Sequence, residues 1–310
     1  AYTPYQAEIS QGILQSIFEY QTMICELTGM DASNASIYDG ATAAAEAAAM
    51  CRDRKRSTVY VSGAANPGVI EVIKTYCFGS NTKVIIVPEE CGVTDADALA
   101  RMMKEDAQAA CFYVQQPNYF GNMEDGDLLG RIVHDAGAKY IMGCNPMALG
   151  IMKAPAGYGA DIAVGDGQPL GMPLAFGGPY LGFMAATAAM ARKLPGRIVG
   201  ETKDDKGERA FVLTLQAREQ HIRREKASSN VCSNQAWCAL TASVYMTAMG
   251  ADGMAEAAAQ CMSKAHYLRD VLKEAGLEPK HDREFFHEFV TVSPEGRCTD
   301  SNHILRALEE

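Results

Sequence analysis

Three stretches of this chain hold residues whose types and spacing could bind an anion or a reactive ligand. The first is residues 165–182, which carry six glycines and three prolines and follow the short apolar run 161–164. Glycine and proline break both helix and ladder, and a long irregular stretch in an otherwise periodic chain is usually functional. It contains no lysine. The second is Gly40-Ala41-Thr42, which leads the alanine-rich segment 41–50. A helix start of this kind offers free amides and the positive end of the helix dipole to a negative group. The same residues also fit a capped, closely packed helix, and Asp39 sets a like charge at the mouth of any phosphate site. The third is the charged run 218–226, followed by the small, uncharged residues 227–234. Alone, such a run is a solvated helix face. Beside a hydroxyl-rich loop, its cations border a segment able to accept an anion.

The elements that must position these stretches alternate. Strands are expected at 58–61, 83–87, 109–114, 139–142 and 161–164, and helices at 4–28, 41–50, 67–78, 95–106 and 125–136. Gly29 is the expected C-cap of the first helix. The rhythm predicts an α/β fold, a mainly parallel sheet with helices on both faces. Ligand-facing loops then lie at the carboxyl ends of the strands, among them 115–121 and 165–182. Further on come a strand-like run to 185, a charged surface turn at 203–209 and a short apolar run at 211–215. Helices are expected at 234–249 and 254–275, and a strand at 286–292 opens a smaller α+β domain. The organisation we expect is an N-terminal interface helix (1–30), a large domain (31–250) and the start of a truncated small domain (251–310).

The bulk numbers exclude several classes. The 310 residues are 48% hydrophobic and 21% charged, with a net charge of −10. That composition is globular, and its acidity argues against a nucleic-acid partner. No uninterrupted apolar run reaches membrane-span length, so no membrane association is expected. The ten cysteines form no C-x-x-C pair and no zinc-like spacing with histidine, so no metal is expected. They read as reduced thiols of a cytoplasmic protein. His134 sits mid-helix and reads as structural. No P-loop, nucleophile elbow or dinucleotide fingerprint is present. Residues 301–310 stop inside a helical pattern, and we expect the chain to be part of a longer subunit.

Longer motifs carry a resemblance. Residues 3–12 (TPYQAEISQG), 20–22 (YQT), 27–30 (LTGM) and 34–40 (NASIYDG) running into Thr42 resemble the glycine cleavage P-protein, or glycine decarboxylase, family. Residues 177–183 (GGPYLGF) and 218–227 (REQHIRREKA) resemble the same family, in order and over nearly the whole chain. The forms of the glycine-rich motifs are similar to the first (α) subunit of its split, two-subunit branch. The resemblance implies a fold-type-I pyridoxal-phosphate transferase architecture. It also implies glycine decarboxylation with transfer of the aminomethyl group to the lipoyl arm of the H-protein. The implied partners are a β subunit, in an α/β pair and an α2β2 assembly, the lipoylated H-protein, and glycine.

Such chemistry needs a lysine to hold pyridoxal 5'-phosphate and a carboxylate to pair with its pyridine nitrogen. By the resemblance, the lysine position falls at Gln168-Pro169 and the carboxylate position near Met142, so no catalytic residue is expected in this chain. Gly40, Thr42 and Asn118 then belong to a degenerate pocket, and the β subunit holds the cofactor. Two contributions to the partner's site are implied. Arg223, Arg224, Ser228, Ser229 and Asn230 reach the partner's cofactor phosphate. Tyr2, Tyr5 and Gln6 line the entrance for glycine or the lipoyl arm. Two alternatives remain: a self-sufficient pyridoxal-phosphate enzyme using Lys153 or Lys193, and a purely structural or regulatory subunit.

Overall fold

The structure, a computed structural model, describes residues 3–227, 229–231, 235–292 and 305–306. In chain order its elements are α1 (Gln11–Thr28), β1 (Ala32–Ser33), α2 (Gly40–Cys51), β2 (Thr58–Ser62), α3 (Pro67–Gly79) and β3 (Val84–Val87). Then come β4 (Glu89–Glu90), β5 (Val93–Thr94), α4 (Ala96–Glu105), β6 (Ala109–Gln116), α5 (Gly126–Asp135), β7 (Lys139–Cys144) and β8 (Ile162–Asp166). The last are β9 (Gly182–Ala186), β10 (Val199–Lys203), β11 (Arg209–Leu213), α6 (Gln220–Arg223) and α7 (Ala236–Glu274).

Seven strands form one sheet in the order β1-β9-β8-β7-β6-β2-β3. The five strands from β3 to β8 pair in parallel, and β9 and β1 close one edge antiparallel. Strands buried on both faces carry apolar residues at consecutive positions. In β7, Tyr140 and Met142 enter the core on one face while Ile141 enters the core on the other. The first face packs against α1, α4, α5 and α7, and the second against α2 and α3. The fully buried rings of Phe112 and Tyr140 stack at 6.4 Å across β6 and β7. Burying a side chain of that size contributes about 1.5–3 kcal/mol.

The helices α3, α4 and α5 each start on a side-chain cap. Asn66 accepts from the Gly68 amide, Asp95 from Ala98 and Asp125 from Leu128. These caps satisfy amides that the first helical turn leaves free. They also fix the amino ends of the helices at the carboxyl edge of the sheet, where the candidate site lies.

Two expectations need correction. The first helix begins at Gln11, not at residue 4, because Thr3–Tyr5 forms a separate 3-10 turn and the Ser10 hydroxyl donates to the Thr3 carbonyl at 2.6 Å. The expected strand at 286–292 is absent. Phe285 and Phe286 are buried, but only isolated bridges occur here, Asn122 with Phe285 and Pro279 with Thr291. The two helices expected at 234–249 and 254–275 are present as the two parts of α7, separated by a kink at Gly250, whose φ of 63° is not helical. The charged turn at 203–209 is the tip of the β10–β11 hairpin.

Candidate functional site

A cavity of about 750 Å³ opens at the carboxyl ends of β6, β7 and β8, facing the amino ends of α2 and α3. In an open parallel sheet this is the ligand-binding edge. Gln115 and Tyr113 reach it from β6, Cys144 and Asn145 from the end of β7, and Asp166 and Gln168 from the end of β8. Asp39 and Gly40 contribute the end of α2, and Asn66 and Gly68 the end of α3.

The amino end of α2 is already occupied by carboxylates. Asp39 accepts from the Thr42 amide at 2.7 Å, and the Thr42 hydroxyl accepts from the Asp39 amide at 3.1 Å, a closed capping box. From the opposite wall Asp166 accepts from the Gly40 amide at 3.2 Å and from the Gln168 amide at 2.8 Å. A side chain at residue 40 has no room: a Cβ there would sit 2.8 Å from the Asp166 nitrogen and 3.0 Å from the Gly165 carbonyl carbon. Burial, joined by the Asp39 charge and opposed by the Gln168, Gly40 and Leu181 amides, holds the Asp166 carboxyl above the usual carboxylate range.

The lining carries three carboxylates, Asp39, Asp166 and Glu288, and no lysine, arginine or histidine among the described residues. A phosphate dianion placed at the α2 end would meet two carboxylates that hold the amides it needs. These residues do not fit pyridoxal phosphate. Lys153 pairs with Asp127 at 2.6 Å and Lys193 donates to the Met50 carbonyl at 3.4 Å, and neither lines the cavity.

The predicted site residues divide. Gly40 lines the cavity, Thr42 completes the cap beside it, and Gln168 lines it with its amide nitrogen on the Met172 carbonyl at 2.7 Å. Met142 does not: its side chain is core, and the cavity wall at this strand end is Gly143, Cys144 and Asn145. Strand alternation sends neighbouring residues to opposite faces. Asn118 does not line it either. Its side chain donates to the Gly92 carbonyl at 2.8 Å and to Glu124 at 2.9 Å, and accepts from the Phe120 and Asn122 amides, so it locks its own loop.

Tyr5 is buried with Leu14 and Ile17, under the Arg197 guanidinium at 5.8 Å, and is not on the cavity. Gln6 is exposed. Arg223 and Arg224 are exposed, and among the described residues they make no ion pair. Ser229 is half-buried and accepts from the Val231 amide at 3.1 Å, near the buried Glu46 of α2, while Asn230 is exposed. Tyr2 and Ser228 lie outside the described residues. His134 pairs with Asp161 at 3.0 Å, at the start of β8 and away from the cavity.

The residues that sequence reasoning missed are Asn66, Tyr113 and Asn145, while Gln115 and Asp166 fall in the stretches 115–121 and 165–182 that it expected to face a ligand without singling either out. The Gln115 side-chain oxygen accepts from the Asn66 amide at 2.9 Å and ties β6 to the α3 end. All but Tyr113 sit within two residues of a strand or helix end on the ligand-facing edge, and that position was their available signal.

Comparison with known proteins agrees with this geometry. The family model described as "Glycine cleavage system P-protein" matches residues 1–310. A probable glycine dehydrogenase (decarboxylating) subunit 1 of Brevibacillus brevis is 54% identical over 292 residues, covering 94% of this chain and 64% of that protein. The corresponding protein of Carboxydothermus hydrogenoformans is 53% identical over 310 residues, covering 98% of this chain and 69% of its own length. The chain thus spans under two thirds of the Brevibacillus relative. A crystal structure of glycine decarboxylase (P-protein) in inhibitor-bound form superimposes with a TM-score of 0.93 at 43% identity, covering 100% of this chain and 69% of that one. Aspartate aminotransferase of Thermus thermophilus, at 16% identity and a TM-score of 0.65, shares the fold, which is that of the fold-type-I pyridoxal-phosphate transferases. Motifs, sheet order and cavity position converge, and the chain belongs to the glycine cleavage system P-protein family.

Proposed function

We propose that this chain is the α subunit of a split glycine decarboxylase, required for turnover but without a catalytic centre of its own. In this reading the enzyme decarboxylates glycine and transfers the aminomethyl group to the lipoyl arm of the H-protein. The supports are the family and the relatives named subunit 1 of glycine dehydrogenase (decarboxylating). The observation that carries the division of labour is the cavity, which has three carboxylates and no lysine among its described lining residues. The β subunit of an α/β pair, doubled to α2β2, then holds pyridoxal phosphate, in the cytoplasm.

This chain's contribution is a surface. The exposed cations of Arg223 and Arg224 would neutralise the partner's cofactor phosphate, and Ser229 and Asn230, together with Ser228, would hydrogen-bond it. Gln6 and the chain before it would border the substrate entrance, with Tyr5 fixing that segment from below.

The test is reconstitution from separately purified complete subunits, following release of labelled carbon dioxide from glycine. Neither subunit alone turns over, mixing restores activity, and Ser229→Ala in this chain lowers turnover about tenfold or more, since a hydrogen bond to a charged group is worth about 1.5–3 kcal/mol. Glycine decarboxylation by this subunit alone, or by the partner alone at the full rate, refutes the proposal.

A further inference from the structure

We propose that the cavity at the ends of β6, β7 and β8 is a binding site for a small organic ammonium ion. This goes beyond the division of labour above and rests on its premise that the chain does not itself hold pyridoxal phosphate.

The site is open, at about 750 Å³, and it is acidic. Asp39 and Asp166 stand at the α2 end and Glu288 at the rim, with no cation in the described lining. A cavity walled by one sign of charge concentrates ions of the other sign. The helix amides do not use up this capacity. The Asp39 Oδ2 atom accepts no hydrogen bond among the described residues, and Asp166 accepts from the Gly40 and Gln168 amides, with the Leu181 amide also on its carboxylate, where a carboxylate has about four acceptor positions.

Tyr113 supplies an independent observation. Its side chain is 3% exposed, it lines the cavity, and its hydroxyl lies so close over Gly143 that a Cβ there would collide with it. No described residue hydrogen-bonds that hydroxyl. The side chain is held by burial while its hydroxyl opens on the cavity without a protein partner, free to bond a ligand there. Burial also raises its affinity for its proton, so it stays neutral and adds no charge.

The other walls define the ligand's body. Gln115 and Asn145 each spend the side-chain oxygen on a backbone amide, of Asn66 and of Met147, both at 2.9 Å. Their amide nitrogens remain to donate to a neutral hydroxyl or carbonyl. The match is an ammonium group at the carboxylates and a short polar neutral tail, as in an amino alcohol.

The experiment is calorimetric titration of the complete subunit, purified without its partner, with ethanolamine hydrochloride and, separately, inorganic phosphate. Ethanolamine binds saturably, one per chain and more weakly as salt rises, and phosphate does not bind. Asp166→Asn weakens ethanolamine about tenfold or more, and Glu288→Gln about threefold because its charge is exposed and screened. Tyr113→Phe also weakens it. Glu288 is exposed and makes no hydrogen bond among the described residues, so Glu288→Gln decides the charge dependence even where Asp166→Asn unfolds. Saturable phosphate binding, no saturable ethanolamine binding, or ethanolamine affinity unchanged in these variants overturns the proposal. Borohydride fixation of pyridoxal phosphate on a lysine of this chain refutes the premise instead, and the two failures are read separately.

Discussion

Gly40→Ala tests whether the α2 end is closed against β8 as tightly as described. A Cβ at residue 40 would lie 2.8 Å from the Asp166 nitrogen, 3.0 Å from the Gly165 carbonyl carbon and 3.1 Å from the Asp166 Cβ. The two nearest atoms are backbone and cannot swing aside as a flexible side chain would. Overpacking of this kind costs about 1–3 kcal/mol. Parting the strand from the helix also lengthens the Gly40 amide to Asp166 bond, already 3.2 Å, and hydrogen bonds to charged groups are worth about 1.5–3 kcal/mol. Alanine's better helix propensity offsets at most about 1 kcal/mol. A net loss of about 2–3 kcal/mol follows. Gly12, in the first turn of α1, is the control: a Cβ there meets nothing within 4 Å, so Gly12→Ala is neutral or stabilising. Urea unfolding with an unchanged slope reads the difference as a midpoint shift. Equal midpoints for the two variants would refute the closed-end geometry.

Two further outcomes follow from buried charge. Arg197 and Glu219 form an ion pair with side chains 8% and 4% exposed, so Arg197→Ala strands a buried carboxylate and costs about 3–5 kcal/mol, measured by urea unfolding. An apolar replacement of both residues recovers most of that loss. Asp166, Glu46 and Glu124 are all held above the usual carboxylate range, chiefly by burial. A carboxyl raised in the folded state binds more protons there than when unfolded. Its stabilising effect is full below the ordinary carboxylate value and is lost as pH rises through the raised folded value. Acidification across that window therefore stabilises wild type relative to Glu124→Gln, and melting temperatures of the two proteins against pH check the sign.

The sheet was legible because its strands are buried on both faces. Runs such as Tyr140-Ile141-Met142 and Ile162-Ala163-Val164 have no polar face to break them, and α3, α4 and α5 announce themselves with the caps Asn66, Asp95 and Asp125. The β10–β11 hairpin was obscured by its own exposure, since Glu201, Lys203 and Arg209 carry the ladder in solvent. Phe285 and Phe286 looked like a strand because they are apolar. They are buried as anchors instead: Phe286 packs against Ala148 and Ala258, and the adjacent Glu284 carbonyl accepts from the Met123 amide.

Within the site, the glycine-rich loop and the α2 end stood out in composition, while the facing of single residues did not. Met142 and Gly143 differ by one position and by a whole face of the sheet. Asn118 and Gln115 are three residues apart in one turn-rich stretch, yet one locks a loop and the other faces the cavity. Asp166 lies two residues before Gln168, but its role depends on the Gly40 amide from a helix 126 residues away in sequence. No local pattern carries that pairing.

The central claim is that the cofactor belongs to the partner and not to this chain. Borohydride reduction of the assembled complex loaded with pyridoxal phosphate, followed by peptide mapping, tests it most directly. The account predicts the reduced pyridoxyl group on a lysine of the partner subunit and none on this chain. Pyridoxyl label on Lys153, Lys193 or any other lysine of this chain would contradict it.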